Sequence, residues 1–257
     1  MLLECSNLSK SYGNVKALDK VSFTLEEGIS FILGPNGSGK TTFIKIVSNI
    51  IKPDSGEIRI LGRDYLDLSP GEVGFAFEKT VFPGFVRVED YLHTVGEVRG
   101  TDNSDEIISL FQLEKVRKKR FSELSQGYKR RFLVASAFVG LPKVVFLDEP
   151  FSNVDITARK IMMKVFVELS HRINVIVVSH VFTNVERMDS LVLLRNGKVI
   201  GNLRGKDLKR MNGFRASFDD GRVVVNDVEA INEKILSGRR LVSIEPLSIE
   251  SWLMERF

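Results

Sequence analysis

The run Ile29–Thr41, ISFILGPNGSGKT, decides the fold. ISFIL is short and almost wholly apolar, as a strand buried on both faces would be. Gly34-Pro35-Asn36-Gly37-Ser38-Gly39-Lys40-Thr41 fits the pattern G-x-x-x-x-G-K-[ST] in full. TFIKIVSNI then takes up helical spacing. A strand, a glycine loop and a helix in that order form a phosphate cradle. Glycines turn backbone N–H groups inward around an anion, and the helix start adds unpaired donors and a positive dipole end. Lys40 can reach β- and γ-phosphates, and the Thr41 hydroxyl can ligate Mg2+.

Two more buried strands are expected downstream. VVFLD (144–148) ends on Asp148-Glu149, and VIVVSH (175–180) ends on His180. Near a phosphate loop, Asp148 can hold Mg2+ directly or through water, and Glu149 can polarise an attacking water. A lone histidine at a strand end is more often structural, and only its place in the series raises His180.

Working outward, LLECSNL reads as a first strand and PDSG (53–56) as a turn leading into the strand EIRILG. From about Val86 to Gly140 the spacing turns helical, in EDYLHTVGEVRG, DEIISLFQLEKV and YKRRFLVASAFVG. KIMMKVFVELSHR and the stretch around VFTNVERM read as further helices. Asn196-Gly197 predicts a type I′ hairpin inside LVLLRNGKVIGNL. The expected fold is α/β: a P-loop core with a mainly parallel sheet, antiparallel β elements and a helical insertion over about 79–140. Residues 1–205 are read as one domain and 206–257 as a small α+β appendage. In the appendage Asp219-Asp220-Gly221 turns FRASF into RVVV, Gly238 closes the helix VEAINEKILSG, RLVSIE is a strand and LSIESWLMERF a last helix.

The 257 residues suffice for a large domain with an appendage. A net charge of +4 is weak evidence for any partner, and no nucleic acid is expected. The basic runs RKKR (117–120) and KRR (129–131) read most simply as solvated helix faces. Cys5 is the one cysteine, so no intrachain disulfide can form, and it fits a small buried hydrophobe. The N-terminus lacks the pattern of a signal peptide, and no run of about 18 apolar residues suggests a membrane span.

Together these motifs resemble the nucleotide-binding subunits of ATP-binding cassette (ABC) proteins, over residues 2–205. GPNGSGKT resembles Walker A, VVFLDE resembles Walker B with Glu149 catalytic, and LSQGY (124–128) resembles the family signature. SNVD (152–155) resembles the D-loop, His180 the switch histidine, and Tyr12 in KSYG the aromatic that stacks on adenine. The resemblance implies ATP and Mg2+ as cofactors. It implies nucleotide contacts from Tyr12, Gly34, Pro35, Asn36, Gly37, Ser38, Gly39, Lys40, Thr41, Thr42, Ser125, Gln126, Gly127 and Asp155. Thr41, Glu78 and Asp148 would face the metal, and Glu149 with His180 would act in catalysis. It further implies head-to-tail dimerisation, as a homodimer or heterodimer, in which Ser125 and Gly127 meet the ATP held by the partner's Walker A. A separate transmembrane permease subunit is the expected companion, with this chain on the cytoplasmic face of the membrane.

Two positions depart from the family pattern. The signature is usually LSGGQ, whereas Gln126 and Tyr128 stand here. Glu78 occupies the place of a glutamine, in GFAFEKTVFPGF. Glutamate-bearing cassettes with S-Q-G signatures, and the ending Leu247-Ser248-Ile249-Glu250, are similar to an exporter-type branch. The expected function is therefore an ATP-hydrolysing transporter subunit of export type. The alternative is a soluble ABC ATPase on a non-membrane scaffold, similar to the iron–sulfur-assembly type. Phe82, Phe85 and Val86 read equally well as an apolar groove for a membrane subunit or as core packing.

Overall fold

The computed structural model describes residues 1–180, 188–205, 213–225 and 228–247. The expected helix around VFTNVERM falls largely on 181–187, and the expected last helix on 248–257, so both lie outside the described residues.

Three strands whose every residue is buried form the centre: β3 (Ile29–Leu33), β7 (Val144–Asp148) and, but for its half-buried first residue, β8 (Asn174–Ser179). With β6 (Val73–Ala76), β9 (Ser190–Arg195) and β10 (Lys198–Arg204) they make a six-stranded sheet, ordered β10-β9-β3-β8-β7-β6. All neighbours run parallel except the β9–β10 hairpin. Asn196 and Gly197 both take positive φ there, 50° and 72°, as the type I′ reading requires. Apolar runs this continuous need cover on both faces.

The first face is covered by a four-stranded antiparallel sheet, β2 (Val15–Leu25), β1 (Leu3–Tyr12), β4 (Ser55–Ile60) and β5 (Arg63–Asp64). Helix α1 (Lys40–Val47) lies between them, burying Phe43, Ile44 and Ile46 in the core that holds Leu3, Leu25, Ile32 and Val178. Cys5 is buried there, as expected. The second face carries α2 (Val88–Val98), α3 (Ser104–Leu110), α4 (Gln126–Ser136) and α5 (Ile156–Leu169). Their core joins Phe31, Val145 and Val177 of the sheet to Leu92, Ile107, Phe132, Phe138 and Phe166.

DEIISLFQLEKV does not continue as one helix. Gln112 adopts φ 51°, which breaks α3, and a single tight turn follows at Glu114–Val116. The KRR run departs from expectation too: Arg130 and Arg131 are buried, 6% and 8% exposed. Arg131 stacks its guanidinium 4.4 Å from the centre of the Tyr128 ring. RKKR is largely solvated as read, but it lies on a turn rather than on a helix face, and within it Arg117 bonds Glu89 at 2.7 Å.

Beyond residue 212, β11 (Gly213–Phe218), β12 (Gly221–Val225) and β13 (Leu241–Leu247) form a separate three-stranded antiparallel sheet. Ala216 and Phe218 bury Ile231 of α6 (Val228–Leu236) in a small core of their own. The Gly238 and Arg239 amides donate back to Ile235 O and Lys234 O, closing the helix at the glycine as anticipated.

Candidate functional site

The site is built on the C-terminal ends of the parallel strands, where α/β sheets present their ligand crevices. The loop after β3 turns tightly, and Gly39 caps α1 with φ 103°, a conformation a side chain would strain. Among the described residues no side chain caps the α1 N-terminus, so its first amides are left for an anion. Ser38 Oγ is buried without a hydrogen-bond partner among the described residues. An orphaned buried hydroxyl just before an uncapped helix start suits a phosphate oxygen. Lys40 is 6% exposed, and its Nζ donates to Gly34 O at 2.7 Å and Pro35 O at 3.0 Å. Burial lowers its pKa, opposed by the charges of Glu149, Asp148 and Glu78. Pro35, Asn36, Gly37 and Thr41 face solvent, and Thr42 is half-buried.

Asp148 is 3% exposed. Burial first, then the Glu149 and Glu78 charges, push its carboxyl up to about 6, against a main-chain hydrogen bond from Glu78 and the Arg130 charge. Its Oδ1 is buried with no hydrogen-bond partner among the described residues. An unpaired, desolvated carboxylate oxygen is a costly feature, and a hard divalent cation would satisfy it. Asp148, the Thr41 hydroxyl and the exposed Glu78 are oxygen donors of the kind Mg2+ takes.

Glu149 follows Asp148 with φ 49°, unusual for a residue with a side chain. Its amide donates to Val178 O at 2.8 Å, and Ser179 Oγ donates to its Oε2 at 2.9 Å. His180 Nδ1 lies 2.9 Å from its Oε1. The two expected catalytic side chains are thus joined, the glutamate buried and the histidine 44% exposed. A carboxylate held by an imidazole is a competent arrangement for activating water.

Tyr12 ends β1, 49% exposed, free to stack on a flat ring. Ser125 caps α4, its Oγ accepting from the Tyr128 amide at 3.4 Å. A methyl group built on Gly127 would meet nothing within 4 Å, and Gln126 is exposed, so this helix start faces outward. Asp155 acts locally as the cap of α5, accepting from the Ala158 amide at 2.7 Å.

Arg130 is the residue that sequence reasoning missed. Its guanidinium donates to Phe77 O at 2.6 Å, to Pro150 O at 3.4 Å and to Asp148 O. Burial lowers its pKa, while the Asp148, Glu78 and Glu149 charges support it. Within KRR nothing marked it, although its place four residues after Gln126 puts it one turn into α4.

Comparison with known proteins decides the family. The sequence model of the ABC transporter family matches residues 18–152, over half the chain. The chain belongs to the ABC transporter family. Among its relatives is a Chlorella vulgaris protein named "Probable sulfate/thiosulfate import ATP-binding protein CysA". It is 34% identical over 212 residues, covering 78% of this chain and 90% of the relative. Another is named "Probable multidrug ABC transporter ATP-binding protein YbhF" in Escherichia coli (strain K12). It is 31% identical over 220 residues, covering 81% of this chain and 38% of the relative. A solved structure of an ATP-binding subunit of an ABC transporter aligns with TM-score 0.72 at 25% identity, covering 82% and 92% of the two chains. This ABC ATPase is an ATP-binding and ATP-hydrolysing transporter subunit with the α/β cassette fold. Its relatives carry both import and multidrug names, so membership leaves the direction of transport open.

Proposed function

We propose that this ABC ATPase closes with a second cassette around Mg2+-ATP and, by hydrolysing it, drives a separate membrane subunit between its two access states. One observation carries the reading. Lys40, Asp148, Glu149 and His180 converge at the C-terminal ends of the central strands, whereas Ser125 and Gly127 present a helix start to open space. Such a start offers a hydroxyl and free amides to an anion. The γ-phosphate on a partner's loop is an anion of the right kind. Thr41, Asp148 and Glu78 hold Mg2+, Glu149 accepts the proton of the attacking water, and His180 orients Glu149. Loss of the γ-phosphate then removes the contact that holds the two cassettes together.

The membrane subunit docks beside the loop after Glu78. Val81 is fully exposed and Phe85 75% exposed. Phe82 belongs to the interior instead, its ring 4.6 Å from Phe121 and 4.8 Å from Tyr91. No helix among the described residues is long and apolar enough to cross a membrane. The export direction rests on Glu78, on Ser125-Gln126-Gly127 and on the ending Leu247-Ser248-Ile249-Glu250, and the partner's sequence decides it. Gentle solubilisation of source membranes and capture of this chain should bring down a polytopic membrane protein in near-equal amount. Recovery with a soluble scaffold only, and nothing membrane-bound, would overturn the transport reading while leaving the ATP site intact.

A further inference from the structure

Arg130 lies on α4, five residues beyond the helix cap Ser125. Its guanidinium holds three backbone carbonyls from two separate segments: Phe77 O, just after β6 and next to Glu78, and Asp148 O, at the end of β7, with Pro150 O, which flank Glu149. Glu149 itself has the positive φ of 49° that needs such support. A planar fork with five donors can grip three acceptors in fixed directions, which an ammonium cannot. The same segments border one cavity of ≈ 300 Å³, between Glu78, Gln126, Arg130 and Asn153. One side chain thus ties the first turns of α4 to both sides of Glu149.

We infer that Arg130 is a positioning residue that links signature engagement to catalysis in the same cassette. Resting on the dimer reading above, the link connects the two nucleotide sites. The signature of one cassette meets the nucleotide of its partner, and Arg130 passes that state to its own Glu149. Each site then hydrolyses fastest when the opposite site is filled.

A second buried arginine provides a matched control. Arg99 also holds three carbonyls, donating to Val139 O at 2.6 Å, Val73 O at 3.3 Å and Ala137 O at 3.4 Å. It ties the end of α2 to the chain at the end of α4 and to Val73 at the start of β6, the end of that strand away from Glu149. Arg130→Lys and Arg99→Lys are compared by ATPase kinetics, thermal midpoint and ATP-driven dimerisation, the last in a Glu149→Gln background. Arg130→Lys should lower kcat at least tenfold and bring the Hill coefficient for ATP to 1, with KM and the ATP concentration for half-dimerisation within twofold of wild type. Arg99→Lys should lower the midpoint comparably and leave kcat and the Hill coefficient unchanged. Equal kinetics for the two variants, or a loss in Arg130→Lys that dimerisation shares in full, would overturn the link. Should Arg130→Lys not fold, Arg130→Gln carries the same comparison, and two unfolded variants would make Arg130 a folding residue only. A monomeric Glu149→Gln control would instead bring down the dimer reading, an outcome distinct from a dimer whose rate ignores Arg130.

Discussion

Glu72 and Asp148 stand at opposite ends of neighbouring parallel strands, and their carboxylates meet opposite surroundings. Glu72, just before β6, accepts from Arg63 Nη2 at 2.7 Å, Lys143 Nζ at 2.8 Å and the Ser69 amide at 3.0 Å. The Arg63 bond first, then Lys143, hold its carboxyl well below the usual carboxylate range. Asp148, at the end of β7, is buried beside two other acids, keeps one oxygen unpaired and is pushed up to about 6. The two arginines repeat the contrast: Arg99 clamps carbonyls where nothing reacts, and Arg130 clamps those beside Glu149. One end of the sheet is satisfied by its own side chains. The other withholds satisfaction until a ligand arrives, which is how strain collects at functional sites.

The contrast breaks most visibly at Glu149. Glu149→Gln should lower kcat by about 10²–10⁴-fold, the range for loss of a general base, with ATP binding retained. A loss under tenfold in steady-state assays would move the catalytic role elsewhere. The tenfold effect of Arg130→Lys, set against Arg99→Lys, comes next. Tyr12→Ala should then raise KM for ATP by about two- to tenfold at constant kcat, the scale of one lost aromatic stack. An unchanged KM would return Tyr12 to a strand-end role.

Asp148 sharpens the comparison on stability. Its folded pKa, about 6, lies above the ordinary 3.8, so the folded state holds this proton more tightly than the unfolded chain. Stability from this group therefore falls as pH rises from about 4 to 6, and the ionised form is a liability above that. Asp148→Asn should stabilise the protein by about 2 kcal/mol near pH 7.5, lose hydrolysis, and show no stability gain near pH 3.5. Denaturant midpoints at the two pH values test this, and a destabilised variant at pH 7.5 would contradict it. Glu72 has the opposite sign, since its depressed pKa adds stability that is lost as pH falls below the ordinary carboxylate range. Because Glu72 is half-buried and its Arg63 and Lys143 partners are exposed, Glu72→Gln should give the smallest effect, a lowered thermal midpoint that 1 M salt largely erases. A salt-independent loss would show that Glu72 supports more than its ion pairs.

Much of this was legible in the residues. The buried strands, the phosphate loop and the Asn196-Gly197 turn follow from local pattern, because burial on two faces and positive φ each restrict residue choice sharply. Asp148, Glu149 and His180 could be placed at strand ends for the same reason. Arg130 could not, since a basic run on a helix has the same composition whether it faces water or three carbonyls. Its burial depends on where the loop after β6 approaches α4, a long-range fact. Gln112, which halts α3, was hidden inside a helical spacing that it interrupts only through its backbone. Phe82 and Phe85, alike in sequence, part company because only one reaches the aromatic cluster around Phe132.

The most direct measurement is the mass of Glu149→Gln in solution by sedimentation, with and without ATP and Mg2+, alone and beside its natural partner chain. The account predicts a monomer that becomes a dimer only with both ATP and Mg2+ present. A mass that stays monomeric in every condition would contradict the claim that the outward-facing Ser125–Gly127 start is built to meet a second cassette's nucleotide.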